Sequence, residues 1–142
     1  MTDPHTPTAL NKALYRRFFD ELLNHKRVEV IDELVAPEVL AHDPFPGQGP
    51  GADGLKKAMA AFLQAFPDLK VVAEDMLAED DKVAARFLVS GTHCGELMGV
   101  APTGKTISFR EVGIVRIHDG KIVEHWSVAD TLTMMRQLGM TS

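Results

Sequence analysis

The segment Glu124–Asp130, EHWSVAD, sets a carboxylate, an imidazole, an indole, a hydroxyl and a second carboxylate close together. Earlier in the chain Glu111 stands at alternate spacing between Phe109 and Gly113. Groups of these types support acid–base chemistry when the fold keeps them from bulk water. A carboxyl in apolar surroundings holds its proton to higher pH and can exchange it near neutrality, while imidazole and hydroxyl groups donate to an oxygen that gains charge. On that chemistry Glu111 and Asp130 are the candidate bases and His125 a candidate donor, with Trp126, His93, His42, Tyr15, Ser127 and Phe109 as candidate substrate-binding residues. Simpler roles compete at several of these. Asp130 can cap a helix, Trp126 can be plain core, and His42 can belong to a turn. No metal is expected, because the single cysteine, Cys94, and the scattered histidines lack the spacing of a zinc site. The glycines of PGQGPGADG follow no strand and lead to no P-loop lysine with Ser or Thr, so no phosphate cradle and no cofactor is implied.

Apolar periodicity predicts the elements that would position these groups. Leu10, Leu14, Phe18 and Leu22, widened by Phe19 and Leu23, mark an amphipathic helix that NHKR breaks, and the polar residues 1–7 before it read as a flexible tail to a single domain over 8–142. Val30, Ile31, Leu34 and Val35 predict a second, short helix ended by Pro37, and AHDPFPGQGPG reads as loop throughout. Leu55, Met59, Phe62, Leu63 and Phe66 predict a third helix stopped by Pro67. From Leu69 the period falls to two. Two strands meet at an acidic turn over Glu79–Asp81, and Val83, Ala85, Phe87, Val89, Gly91 and His93 share one face of the second. Ile107–His118 and Lys121–Asp130 then form a hairpin on a primed turn at Asp119 and Gly120, followed by a short helix over Thr131–Leu138. Helices first and strands after predict an α+β fold, N-terminal helices on a curved, mostly antiparallel sheet, forming a cone with an internal pocket for a small hydrophobic molecule.

The turn sets the hairpin register. Unbroken, it gathers Phe109, Glu111, Gly113, Val115 and Ile117 with Ile122, Glu124, Trp126, Val128 and Asp130 on the buried face. A β-bulge between Val123 and Ser127 would instead turn His125 and Ser127 inward. The sequence leaves both arrangements open.

Composition narrows the partners. Fifteen Lys and Arg against 20 Asp and Glu give a net charge of −5, which argues against nucleic acid. The N-terminus lacks the charge and apolar run of a signal peptide, no stretch is long enough to span a bilayer, and one cysteine excludes an intrachain disulfide, so a cytoplasmic location is expected.

From Leu10 to Gly139 the order of elements, with GTHCGELMGVAPTGKTISF and VRIHDGKIVEHWSVADTLTMMRQLG, resembles the SnoaL-like polyketide cyclase family of the ester-cyclase type. The resemblance implies the nuclear-transport-factor-2-like fold, an α+β cone with a deep pocket, commonly assembled as homodimers. It implies an intramolecular aldol condensation of a methyl-ester substrate without metal or organic cofactor. His125 matches a family histidine and Asp130 a family acid, whereas the family's catalytic aspartate position carries Ser127 and its partner histidine position Gly113. Those two departures keep other readings open: an epoxide-hydrolase-like or isomerase enzyme of the same fold, or a non-catalytic small-ligand carrier or dimerisation module.

Overall fold

In the computed structural model, which describes residues 3–140, Thr6 opens the first helix by accepting a hydrogen bond from the Ala9 N–H at 3.2 Å. Pro7 follows at a position where its missing donor costs nothing, and α1 runs Pro7–Phe19. It widens into a π-helical turn, Asp20–Asn24, which carries Leu22 into the core beside Tyr15 and Phe19. Thus part of the expected tail already shapes the helix start, and positions 1 and 2 lie outside the described residues.

After α2, Val30–Leu34, the chain departs from expectation. Val35–Ala41 is a strand, β1, where helix end and loop were expected. The apolar run Val30–Val35 is too short for its period to separate helix from strand. Pro37 is tolerated because β1 lies at the sheet edge and pairs only with β5, so one side of its backbone needs no donor. α3, Gly51–Ala65, follows and packs on β1.

The remaining elements are β2 (Lys70–Glu79), β3 (Lys82–Thr92), β4 (Thr106–His118), β5 (Lys121–Ala129) and α4 (Thr131–Gln137). Together the strands form a five-stranded sheet in the order β1-β5-β4-β3-β2, antiparallel except for the β1–β5 pair, which is the expected α+β architecture. Asp119 and Gly120 have φ of 49° and 71°, as a primed turn requires at both positions.

Val83, Ala85, Phe87 and Val89 of β3, with Ile107, Phe109, Val115 and Ile117 of β4, line the concave face and are all buried. α1 covers the β2–β3 side, α3 covers β1, and α4 brings Met134 and Leu138 against the start of β4. Phe66, just beyond α3, is fully buried, and a side chain of that size contributes roughly 1.5–3 kcal/mol by leaving water. The convex face has no covering layer among the described residues: Val72, Leu77, Val112 and Val128 are exposed there. No described helix is long and apolar enough to cross a membrane.

The β1–α3 loop is pinned by a close backbone approach, since a Cβ on Gly54 would stand 1.8 Å from the Gly49 carbonyl oxygen. Gly54→Ala is therefore expected to destabilise the protein by at least about 2 kcal/mol, read as a lower denaturant midpoint at unchanged slope.

Candidate active site

Gly113 pairs with Ser127, Val115 with His125, and Glu111 with Ala129, but beyond Arg116 the register shifts so that Ile117 meets Ile122. Val123 is the extra residue. This bulge settles the alternative left by the sequence: from Glu124 onward every side chain changes face. His125 and Ser127 point to the concave side with Glu111 and Gly113, while Glu124, Trp126 and Val128 point to the convex side. The inward placement of Trp126 and Glu124 predicted for an unbroken hairpin is thereby corrected. Val128 at 76% exposure confirms it from the other side of the sheet.

Glu111 is half-buried next to Phe87 on the concave face and has no ion-pair partner among the described residues. Arg110, its neighbour in sequence, and Arg86, on the adjacent strand β3, pair with Glu74 on the opposite face, Arg110 Nε donating to Glu74 Oε1 at 2.8 Å. With no partner, burial alone pushes the Glu111 carboxyl up to about 7. Two rows along, His125 is half-buried, and burial lowers its pKa against the opposing pull of the Asp43 carboxylate, with His42 adding a smaller lowering. Ser127, opposite Gly113, occupies the row between theirs, its N–H donating to Asp43 Oδ2 at 2.9 Å.

Tyr15 of α1 approaches from the helical layer. Its ring is 3% exposed and sits edge-on to Phe19 and Phe87, with centroids 5.9 Å away in both cases. Its hydroxyl lies where a side chain at 113 would begin: a Cβ on Gly113 would stand 2.6 Å from that oxygen, 3.5 Å from Phe87 Cε2 and 3.7 Å from His125 Nε2. Burial first, and the Glu111 charge second, hold the phenol above its ordinary value, so it remains protonated. Glu111, Tyr15 and His125 thus converge over the backbone of Gly113, a carboxyl that titrates near neutrality flanked by a hydroxyl and an imidazole. Tyr15, Phe19 and Phe87 fill the floor beneath them. Glu111, His125 and Ser127 keep partial exposure above that floor. Two surface depressions lie elsewhere, one at Val28, Asp53, Lys56, Lys57 and Ala60, the other at Arg16, Phe19, Asn24 and the start of β2.

The other candidates stand apart from this cluster. Asp130 is exposed and caps α4, accepting from Thr133 N–H at 3.1 Å and from its hydroxyl at 2.7 Å, which lowers its pKa and removes it from the concave face. His42 stacks on Trp126 across the edge of the convex face, 4.7 Å between centroids, and its Nε2 meets Glu124 Oε2 at 2.8 Å. Arg116 donates to the other Glu124 oxygen at 3.0 Å. His93 is fully buried, but its Nδ1 accepts from the Thr103 N–H at 3.2 Å and its ring packs on Phe66, so it closes the base of the 94–104 loop. Phe109 is core. Asp43, which with His42 stands before the Pro/Gly loop and could be expected to roof a cavity, instead reaches β5, where it accepts from the Ser127 N–H; that approach depends on the unforeseen β1. No described group of three or more His, Cys, Asp or Glu residues could hold a metal ion.

The family described as SnoaL-like polyketide cyclase matches residues 13–138. The chain is 32% identical over 108 residues to the aklanonic acid methyl ester cyclase DnrD of Streptomyces peucetius, covering 75% of this chain and 72% of that one. It is 28% identical over 124 residues to a nogalonic acid methyl ester cyclase of Streptomyces nogalater, covering 82% and 88% respectively. Among solved structures, AclR of Streptomyces galilaeus superposes with a TM-score of 0.84 at 33% identity, over 95% of this chain and 99% of that one.

Two outcomes test the geometry. Gly113→Ala should cost about 1–3 kcal/mol by forcing its methyl against the fixed Tyr15 hydroxyl, and adding Tyr15→Phe should restore most of that loss, measured as a double-mutant cycle in denaturant. The second outcome follows from the raised Glu111 carboxyl. Below its ordinary value of 4.5 the group is neutral in folded and unfolded chains alike; between 4.5 and about 7 the unfolded chain ionises while the native state keeps its proton, so native stability falls across that window and is level above it. Glu111→Gln should therefore match the wild type near pH 4 and exceed it near pH 8 by roughly 2–3 kcal/mol.

Proposed function

The chain belongs to the SnoaL-like polyketide cyclase family, and from that premise we propose that it closes a ring in a small hydrophobic carbonyl compound by an intramolecular aldol reaction, with Glu111 as the base. The observation that carries this reading is the half-buried Glu111 carboxyl on the concave face, without a counter-ion among the described residues and titrating near neutrality. Such a group is ionised often enough to take a proton from carbon and basic enough to hold it. In the proposed step the carboxylate removes a proton from carbon beside a carbonyl. The resulting enolate carbon bonds to a second carbonyl carbon of the same molecule, and the alkoxide formed there takes a proton, returning Glu111 to its ionised form. His125, kept neutral by its burial, serves as a donor beside the reacting oxygen.

Both curated relatives are methyl ester cyclases by name, which makes an ester-bearing carbonyl compound the first substrate class to test. The reading assigns the chemistry to protein side chains, with no cofactor, and places the enzyme in the cytoplasm. It also takes the convex face as the contact between two copies, supported by the exposure of Leu77, Val112 and Val128 among the Glu74 ion pairs.

Glu111→Gln is expected to lower kcat on a cyclised substrate by about 10²–10⁴ and to abolish the rise of kcat/KM as pH passes through about 7. Asp130→Asn should leave turnover within about twofold, because removing an exposed cap bears on stability, by about 1 kcal/mol, rather than on the reaction. Undiminished turnover in Glu111→Gln would refute the assignment.

A further inference from the structure

We propose that Asp43 is a positioning residue for the reaction: its carboxylate, drawn onto the β5 backbone at Ser127, supplies the negative charge against which His125 passes a proton to the substrate alkoxide. This deepens, and rests on, the ring-closing reading with Glu111 as the base. The observation behind it is a departure from the parallel ladder. Ala41 stands beside His125, and the His42 N–H donates to the His125 carbonyl at 2.9 Å. In regular parallel pairing the next β5 donor, the Ser127 N–H, would meet the carbonyl of residue 42. The Asp43 carboxylate takes it instead, at 2.9 Å. A neutral acceptor was one residue away, yet a charged one holds the position.

Alternation sets that charge on the concave side. His42 projects to the convex face, where it stacks on Trp126 and meets Glu124, so the residue after it turns toward His125 and Ser127. Among the described residues Asp43 has no cationic partner. Burial lowers the His125 pKa, and of the titratable groups around the ring, His42 and Asp43 from the end of β1, Glu111 from β4 and the Tyr15 phenol from α1, Asp43 is the one whose charge works against that burial.

The proton balance of the reaction gives that charge its use. Glu111 takes a proton from carbon, the enolate carbon bonds to the second carbonyl carbon, and the π electron pair of that carbonyl becomes the alkoxide. The proton on Glu111 then returns through His125. The imidazole takes it up, is briefly cationic and gives it to the alkoxide oxygen, which leaves Glu111 ionised, His125 neutral and one hydroxyl formed. His125 Nε2 reaches toward the row between the two groups, 3.7 Å from where a Cβ of Gly113 would stand. A buried imidazole resists the cationic state, and a carboxylate beside it makes that state accessible.

The test follows the His125 ring resonances by NMR across pH in the substrate-free protein, with His125→Gln to assign them. Asp43→Asn keeps an oxygen that can accept from the Ser127 N–H and removes only the charge, so the His125 titration midpoint should move to lower pH. Asp43→Glu, which restores the charge, should bring the midpoint most of the way back. On a cyclised substrate, Asp43→Asn should lower kcat by at least about fivefold at nearly constant KM. An unchanged His125 midpoint in Asp43→Asn overturns the proposal. So does a shift that comes with loss of the Ser127 amide's protection from hydrogen exchange, which would make Asp43 a cap on the ladder and nothing more. Retained turnover in Glu111→Gln would instead overturn the base assignment, and the titration, read without substrate, is independent of it.

Discussion

Between Ile122 and Glu124 the β4–β5 ladder takes in Val123, a residue with no partner, and the identity of the concave face depends on it. A strand alternates its side chains with period two, so one unpaired residue exchanges every position beyond it between faces. Ile122 stays in the core on one side of the bulge, and on the other side His125 and Ser127 turn inward while Trp126 and Glu124 turn outward. The Trp126 indole is far larger than the space over Ala85 and Gly113 could take, and it finds a flat partner in His42 and cations in Lys82 and Arg116 on the convex side. The bulge thus places Ser127 opposite Gly113, where the indole would otherwise be, and His125 opposite Val115, where Glu124 would be.

The sheet also divides the carboxylates by environment. On the convex side Glu74 is held by Arg110 and Glu124 lies between His42 and Arg116, so each has a positive or donating neighbour. Hydrogen bonds from Arg110 hold the Glu74 carboxyl below its ordinary value. Glu111, one residue from Arg110 but on the other side of the β4 backbone, has no cationic partner among the described residues and rises instead by burial. The two faces of one sheet therefore hold carboxylates of opposite character, Glu74 of β2 in ion pairs and Glu111 of β4 without one. The second is destabilising above its folded pKa, a cost typical of groups retained for reactivity.

Much of this was legible from the chain. The four-residue spacing of Leu10, Leu14, Phe18 and Leu22 marks α1, the alternation from Val83 to Val89 marks the buried face of β3, and Asp119-Gly120 fixes the hairpin turn. Glu111 follows from that same alternation, because β4 carries no irregularity between Phe109 and Val115. What was not legible depends on contacts distant in sequence. β1 is an edge strand whose only partner is β5, so its seven residues, with Pro37 among them, carry no local strand signal. The bulge sits at Ile122-Val123, two adjacent apolar residues either of which could face the core, and hydrophobic pattern alone does not select one. Tyr15 was legible as a hydroxyl on the first helix, but its approach to Gly113 is a contact between positions 98 residues apart that no local pattern announces.

Ser127 and Gly113, where the family resemblance leads one to expect an aspartate and a histidine, are the departures that most bear on chemistry. Removing two polar side chains from one cross-strand pair would ordinarily leave a bare apolar patch. Here the vacated positions are served from other elements. The space of a side chain at 113 is entered by the Tyr15 hydroxyl from α1, and the Ser127 N–H is bound by the Asp43 carboxylate carried in at the end of β1. Since the β4–β5 backbone is common to both arrangements, donors and charges can migrate among the elements that surround it without disturbing the sheet. In such a scaffold the reaction is set by which elements reach the Gly113–Ser127 row, and two chains with the same backbone can differ there in every polar group. Fold similarity therefore carries the concave surface from one relative to the next, while the proton-transfer groups must be established in each chain from the row itself.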